Sequence, residues 1–330
     1  MSSTPAAPAR TPLRDMLEGM PPLATLGPVI ALTIACAFFA SQSDRFLTGQ
    51  NFSLILQQVM VVGVLAIGQT LVILTAGIDL SCGMVMALGT IVMTKFTVDY
   101  GINAYLAIFC GLAVCAAFGF LNGALVTYVK LPPFIVTLGT LNIAFAITQI
   151  YSGSQTISGL PAALEFFGST FKLGQTAVSY GTVLMLAMFL VTWYVLRETA
   201  PGRHVYALGN NPEATRLMGI KTNRQLIAIY TLAGFIYGIA GLLLVARTGV
   251  GDPNAGQTDN LDSITAVVLG GISLFGGRGI ILGALIGAVI VGVFRNGLTL
   301  MGVASVYQIL ITGILVIVAV ATDQLSRRKG

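Results

Sequence analysis

The side chains able to do chemistry in this 330-residue chain are few and unusually placed. Asp79 is the one carboxylate with long apolar sequence on both sides, within Leu74-Thr75-Ala76-Gly77-Ile78-Asp79-Leu80-Ser81. A charge at the bilayer centre costs about 2.5–3.5 kcal/mol on insertion scales, so Asp79 belongs at an interface, in a polar cavity, or capping a helix. Two roles stay open. Asp79 or Ser81 accepts backbone N–H groups where the next helix starts, or both line a path for solute. Neutral amides recur in the apolar runs: Gln57, Gln58, Gln69, Asn122, Asn142, Gln149, Asn296 and Gln308. Amides donate and accept without a counter-charge, which suits a hydroxyl-rich neutral solute. They suit interhelical hydrogen bonds, worth about 0.6 kcal/mol each, equally well. The path candidates are Gln69, Asp79, Ser81, Asn122 and Asn142.

Catalytic constellations are missing from the sequence. It holds no Gly-Lys dipeptide, so no P-loop can form. The single histidine, His204, stands in a basic loop, and no Ser–His–Asp set or metal cluster is visible. Cys36, Cys82, Cys110 and Cys115 lie in or beside apolar runs without CxxC spacing, and read as small packing residues. Neither an enzyme nor a metal or other cofactor is expected. The net charge of +5 is a topology signal and does not imply nucleic acid.

What must position these residues is a membrane domain. Only 17 basic and 12 acidic residues are charged, and 55% of the chain is hydrophobic. With a mean hydropathy of +0.89, that excludes an ordinary soluble domain. A helix needs about 20 apolar residues to span the hydrocarbon core. Runs 23–40, 52–76, 102–129, 131–151, 177–196, 225–246 and 303–322 meet or approach that length, and 80–94, 263–275 and 279–294 are shorter. The expected fold is an all-α polytopic bundle of about ten transmembrane segments, some short or broken, with an internal repeat. Arg10 and Arg14 before the first run also fit a secretory leader, but the run is long for one and is read as a retained span. The expected organisation is a mobile tail 1–20, one transmembrane domain 21–323, and a basic tail 324–330.

Ten crossings with a cytoplasmic N-terminus put twelve of the 17 basic residues inside, as the positive-inside rule expects. Arg45, Lys95, Lys172, Arg247 and Arg295 fall outside. Both termini are then cytoplasmic. The longest external connector is 152–176, a solvated loop or a contact for an extracytoplasmic partner. Three GxxxG pairs, Gly119/Gly123, Gly234/Gly238 and Gly283/Gly287, permit close helix approach.

Gly77-Ile78-Asp79-Leu80-Ser81-Cys82-Gly83 echoes Gly271-Ile272-Ser273-Leu274-Phe275-Gly276-Gly277. Both end an apolar run and lead into another. Paired Gly-interrupted segments point to a transport pathway, because broken backbone at membrane depth survives only inside a bundle or beside a cavity. Gly77, Gly83, Gly271, Gly276, Gly277 and Gly279 mark the breaks.

The basic loop 197–224 carries a helix signature: Asn211 to cap, Pro212 at the first position, Glu213 near the positive end, Gly219 to terminate. A short helix presenting Leu217, Met218 and Ile220 on the cytoplasmic face is a docking knob for a partner, or a connector resting on the membrane surface. Gly209, Asn211, Pro212, Glu213, Ala214, Arg216 and Gly219 are its candidate residues.

Four ordered motifs carry a resemblance covering nearly all the chain after residue 50. They are Leu74–Ser81, Leu131-Pro132-Pro133-Phe134-Ile135-Val136-Thr137-Leu138-Gly139, Gly202–Ala214, and Ile264–Gly279. The chain resembles the membrane-spanning permeases of bacterial ABC sugar importers of the ribose/xylose/arabinose/fructose group, most of all the fructose type. Cys82 stands where such permeases usually carry Val, and Thr215 where they often carry Ala. The resemblance implies a bacterial inner-membrane protein with two cytoplasmic ATP-binding subunits, a periplasmic sugar-binding protein and a second permease subunit in a homodimer. A self-contained secondary transporter of a small neutral solute is the rival. Ion coupling would normally need several intramembrane ionisable groups, and the sequence shows one good candidate.

Overall fold

The computed structural model describes residues 23–327. The tail 1–20, with Arg10 and Arg14, and the end of the basic tail, with Arg328 and Lys329, lie outside the described residues. Twelve helices of six or more residues follow in order: α1 (Leu23–Gln42), α2 (Gly49–Leu74), α3 (Cys82–Val98), α4 (Ala104–Ala124), α5 (Pro133–Ser152), α6 (Tyr180–Glu198), α7 (Ala200–Asn210), α8 (Pro212–Leu217), α9 (Thr222–Thr248), α10 (Asp259–Leu269), α11 (Ile281–Leu300) and α12 (Ser305–Arg327). A π-helical turn, Leu125–Val129, extends α4. Six of these helices are long and apolar enough to cross a membrane, and three more are shorter apolar helices. With α10, every one of the ten expected runs carries a helix.

The runs 263–275 and 279–294 are displaced from their helices. Apolarity placed the first span too late, because α10 opens on polar Asp259, Asn260 and Asp262, and its apolar sequel 270–275 is a Gly-rich break. It placed the end of the second too early, because α11 continues past Arg295 to Leu300. The connector 152–176 holds one helical turn, Ala162–Glu165, and most of a small antiparallel hairpin, β1 (Thr170–Leu173) with β2 (Thr176–Ser179).

The core runs along α2, buried without interruption from Val59 to Leu74. α6, α9, α10 and α11 surround it. Two GxxxG pairs face one another: a Cβ on Gly119 would strike the Tyr230 carbonyl, and one on Gly234 would strike that of Cys115. The third, on α11, lets Gly283 and Gly287 lie on the backbone of Gly270 and Ala266 in α10. By contrast α4, α5 and α6 turn large apolar side chains outward, including Phe109, Ile135, Ile150 and Leu190. That outer face suits lipid or another apolar surface.

Two helices begin inside the bundle. The Leu80 carbonyl, just before α3, accepts from Asn260 Nδ2 at the start of α10, at 3.2 Å. Gly83 and Gly256 pack backbone on backbone, and Cys82 Sγ lies 3.6 Å from Ser263 Oγ. From this junction α10 runs 11 residues, about 16 Å at 1.5 Å per residue, roughly half a hydrocarbon core. α3 and α10 thus start together and leave toward opposite ends.

Candidate functional site

The two breaks meet at one end of the bundle. α2 stops at Leu74, where Ala76 takes a left-handed φ of 63°. The second break turns through Gly271, Gly276, Gly277 and Gly279. At Gly279 the φ of 130° is open to glycine and to almost nothing else. The Gly277 amide donates to the Leu74 carbonyl at 2.9 Å, and Gly276 rests on Ala76. Both breaks therefore share one hydrogen bond.

α7 sits on that junction. Gly209 approaches so closely that a Cβ would collide with the Leu74 carbonyl oxygen, and Gly277 packs on Asn210. Tyr206 donates its hydroxyl to the Gly279 carbonyl at 3.0 Å. α8 follows at once. Asn211 Oδ1 accepts the Ala214 amide at 2.9 Å, Pro212 holds the first position, and Gly219 takes a φ of 84° just past the end. The short helix that the signature marked is α8, and α7 precedes it as a second helix; Asn211 between them is extended (φ −156°, ψ 97°) and cannot continue either one. Leu217 and Met218 are 78% and 69% exposed. Ile220 is not presented with them; it turns into an apolar cavity of ≈ 620 Å³ beside Val195, Val205 and Leu232. Glu213 and Arg216 form an exposed ion pair at 3.4 Å.

Of the five path candidates, four converge. Asp79 Oδ1 accepts the Ser81 amide at 2.9 Å and the Ser81 hydroxyl at 2.6 Å. Asn122 Nδ2 donates to Ser81 Oγ at 3.0 Å, and Thr140 donates to Asn122 Oδ1 at 2.7 Å. Tyr237, beside Asp79, donates to Gln69 Oε1 at 3.3 Å. All are buried. Asp79 satisfies the amide that precedes α3, and Ser81 makes no capping bond. Asn142 stands apart: it is exposed on α5 and bonds only the Leu138 carbonyl. Of the remaining amides, all but Gln58 make packing bonds, such as Asn296 Nδ2 to Asn51 Oδ1 at 2.9 Å and Gln149 Nε2 to Asn254 Oδ1 at 3.0 Å.

A second polar group went unread in the sequence. Gln58, Thr90, Arg247, Asp252, Asp259 and Arg295 line a cavity of ≈ 330 Å³ at the end opposite α8. Arg295 pairs with Asp262 at 2.9 Å and with Asp259 at 3.6 Å. Arg247 and Arg295 had been counted only as orientation signals. The missed signal was Arg295 inside the apolar stretch 281–300, a position that demands a carboxylate partner.

The arrangement defines a class: a multi-pass membrane transport subunit, with polar groups buried at helix breaks, one helix seated on those breaks and an exposed helix directly after it. The chain belongs to the family described as branched-chain amino acid transport system / permease component, whose match spans residues 51–320. It is 49% identical over 307 residues to the fructose import permease protein of Rhizobium meliloti, covering 91% of this chain and 85% of that one. It is 40% identical over 301 residues to the ribose import permease protein of Bacillus subtilis, covering 91% and 92%. The ribose import permease protein of Escherichia coli K12 is 41% identical over 297 residues, covering 89% and 92%.

Proposed function

We propose that this permease carries a monosaccharide of the fructose or ribose type inward across the bacterial inner membrane. Separate ATP-binding subunits dock on α8 and power the step. A periplasmic sugar-binding protein delivers at the opposite end, and a second copy of the chain completes the passage. Residues 21–323 act as one permease domain, with both termini and the loop 197–224 in the cytoplasm. The observation that carries this reading is Gly209 on the Leu74–Gly277 junction. Any push on α8 passes through α7 to both breaks, and nucleotide binding to the partner supplies the energy difference between states. Asp79, Ser81, Gln69 and Asn122 then form the closed section of the path. Asn142 lines it only if the second copy covers the α5 face. The rival reading, an ion-driven secondary transporter, is weakened by relatives that are import permeases.

Two outcomes test the proposal. Ala214, exposed on α8, replaced by Cys should react with an impermeant maleimide only after the cells are opened; labelling of intact cells overturns the orientation. Leu217→Ala with Met218→Ala should weaken capture of the ATP-binding subunits about tenfold or more, since truncating a single hot-spot anchor costs ~2 kcal/mol or more. Unchanged capture removes α8 as the dock. Uptake by the purified chain alone, driven by an ion gradient, would overturn the whole reading.

A further inference from the structure

We infer that the polar cavity opposite α8 is a low-affinity binding station for a single sugar ring within the permease itself. The inference rests on the proposed function and names where that substrate is held.

The cavity lies between α2, α3, α9, α11 and the segment that leads into α10. Its volume of ≈ 330 Å³ is at the small end of the ~300–1,000 Å³ typical of small-molecule sites. That suits one ring better than a longer saccharide. Its wall is chemically unlike the rest of the bundle. Arg247 and Arg295 share its lining with Asp252 and Asp259, so the lining charges cancel and favour a neutral ligand. Apolar lining is confined to Leu244, Val250 and Ala255, with Gly256 on the floor, too little to hold a branched aliphatic side chain.

The hydrogen-bonding capacity is partly unspent. Arg295 is engaged by Asp262 and Asp259, and Asp252 Oδ1 accepts the Asn254 amide at 2.9 Å. Arg247, in the last turn of α9, makes no hydrogen bond or ion pair with any described residue. Gln58 Oε1 is buried with no partner either. A buried polar atom without a partner costs stability, so its retention calls for a ligand or water. A fork of N–H donors, an amide oxygen and two carboxylates match vicinal hydroxyls, each of which donates once and accepts twice. Gly256 packs on Gly83, two residues beyond Ser81. The Gly83–Gly256 contact therefore lies between this station and the Asp79 group, and must part for sugar to pass.

The test uses the permease with its ATP-binding subunits in nanodiscs, without the binding protein. Saturation-transfer NMR is read on D-fructose, D-ribose and L-leucine. The wild-type complex should transfer to at least one sugar and not to leucine. Arg247→Gln should weaken sugar binding about tenfold, as loss of a charged hydrogen-bond donor predicts, and Ala255→Phe should block it by filling the space. Gln58→Ala, which leaves every charge in place, should weaken it less. Transfer unchanged in Arg247→Gln and Ala255→Phe, or equal transfer to leucine, overturns the station. A wild-type complex that imports sugar with the binding protein but shows no transfer without it also overturns the station and leaves the proposed function standing. A complex that imports none of these sugars overturns both.

Discussion

Gly209→Ala is expected to cut sugar uptake by the reconstituted transporter more than tenfold while its ATP-binding subunits remain bound. The added Cβ would meet the backbone carbonyl of Leu74 and lie 2.7 Å from the Gly277 nitrogen. Neither is the movable tip of a side chain. Relief requires lifting α7 off the junction, which strains the Tyr206–Gly279 hydrogen bond, or parting Leu74 from Gly277, which breaks theirs. Overpacking of this kind costs about 1–3 kcal/mol. That exceeds the ~0.5–1 kcal/mol that Ala gains over Gly in a helix interior. The docking surface of α8 is untouched, so the complex should still assemble and bind ATP while uptake falls. Gly313→Ala is the control, since nothing lies within 4 Å of a Cβ there, and it should import as wild type. Wild-type uptake by Gly209→Ala would show that the junction does not transmit the push.

Gly209 was visible in the sequence only as the start of a docking signature. Its packing partner, Leu74, is 135 residues earlier in the chain, and no local pattern announces such a contact. What was legible had local causes. Sustained apolarity marked all ten helical runs, because a bilayer forces backbone polar groups to be satisfied within a helix. Asn211, Pro212 and Gly219 marked the limits of α8, because caps and terminators act over a single turn. The errors share one origin. Apolarity reports what faces lipid or core, and helices that start inside a bundle open on polar residues. So α10 was placed late, and the carboxylates Asp259 and Asp262 fell outside the expected run 263–275. The hairpin β1–β2 was likewise invisible as structure, being two four-residue strands about a Gly174-Gln175 turn inside a loop of mixed composition.

The convergence of Gln69, Asp79, Ser81 and Asn122 was an expectation about type, and distance in sequence gave no hint of pairing. Tyr237 and Thr140, which complete the group, looked like ordinary span residues. Neutral hydroxyls in helices usually bond their own preceding turn, and Thr140 does this as well. Only its second partner, Asn122, ties α5 to α4.

Asp79→Ala is expected to lower both stability and transport, and Asp79→Asn to separate them. Asp79 Oδ1 takes two hydrogen bonds inside a wholly buried site. Alanine orphans the Ser81 amide and hydroxyl, at about 1–3 kcal/mol for each group left unmade. A chain of this size loses roughly 2–4 °C per kcal/mol, so the detergent-solubilised complex should melt roughly 5 °C lower or more. Asparagine keeps an acceptor oxygen for both donors and should recover most of that loss. If Asp79 only holds the backbone before α3, Asp79→Asn should also restore uptake. If the carboxylate takes part in opening the path, uptake should stay low in a protein that melts normally. The second result is the one the proposed function requires, because Asp79 lies in the segment that joins the Leu74–Gly277 junction to α3. Normal uptake at a normal melting temperature would reduce Asp79 to a structural cap and move the path to other residues.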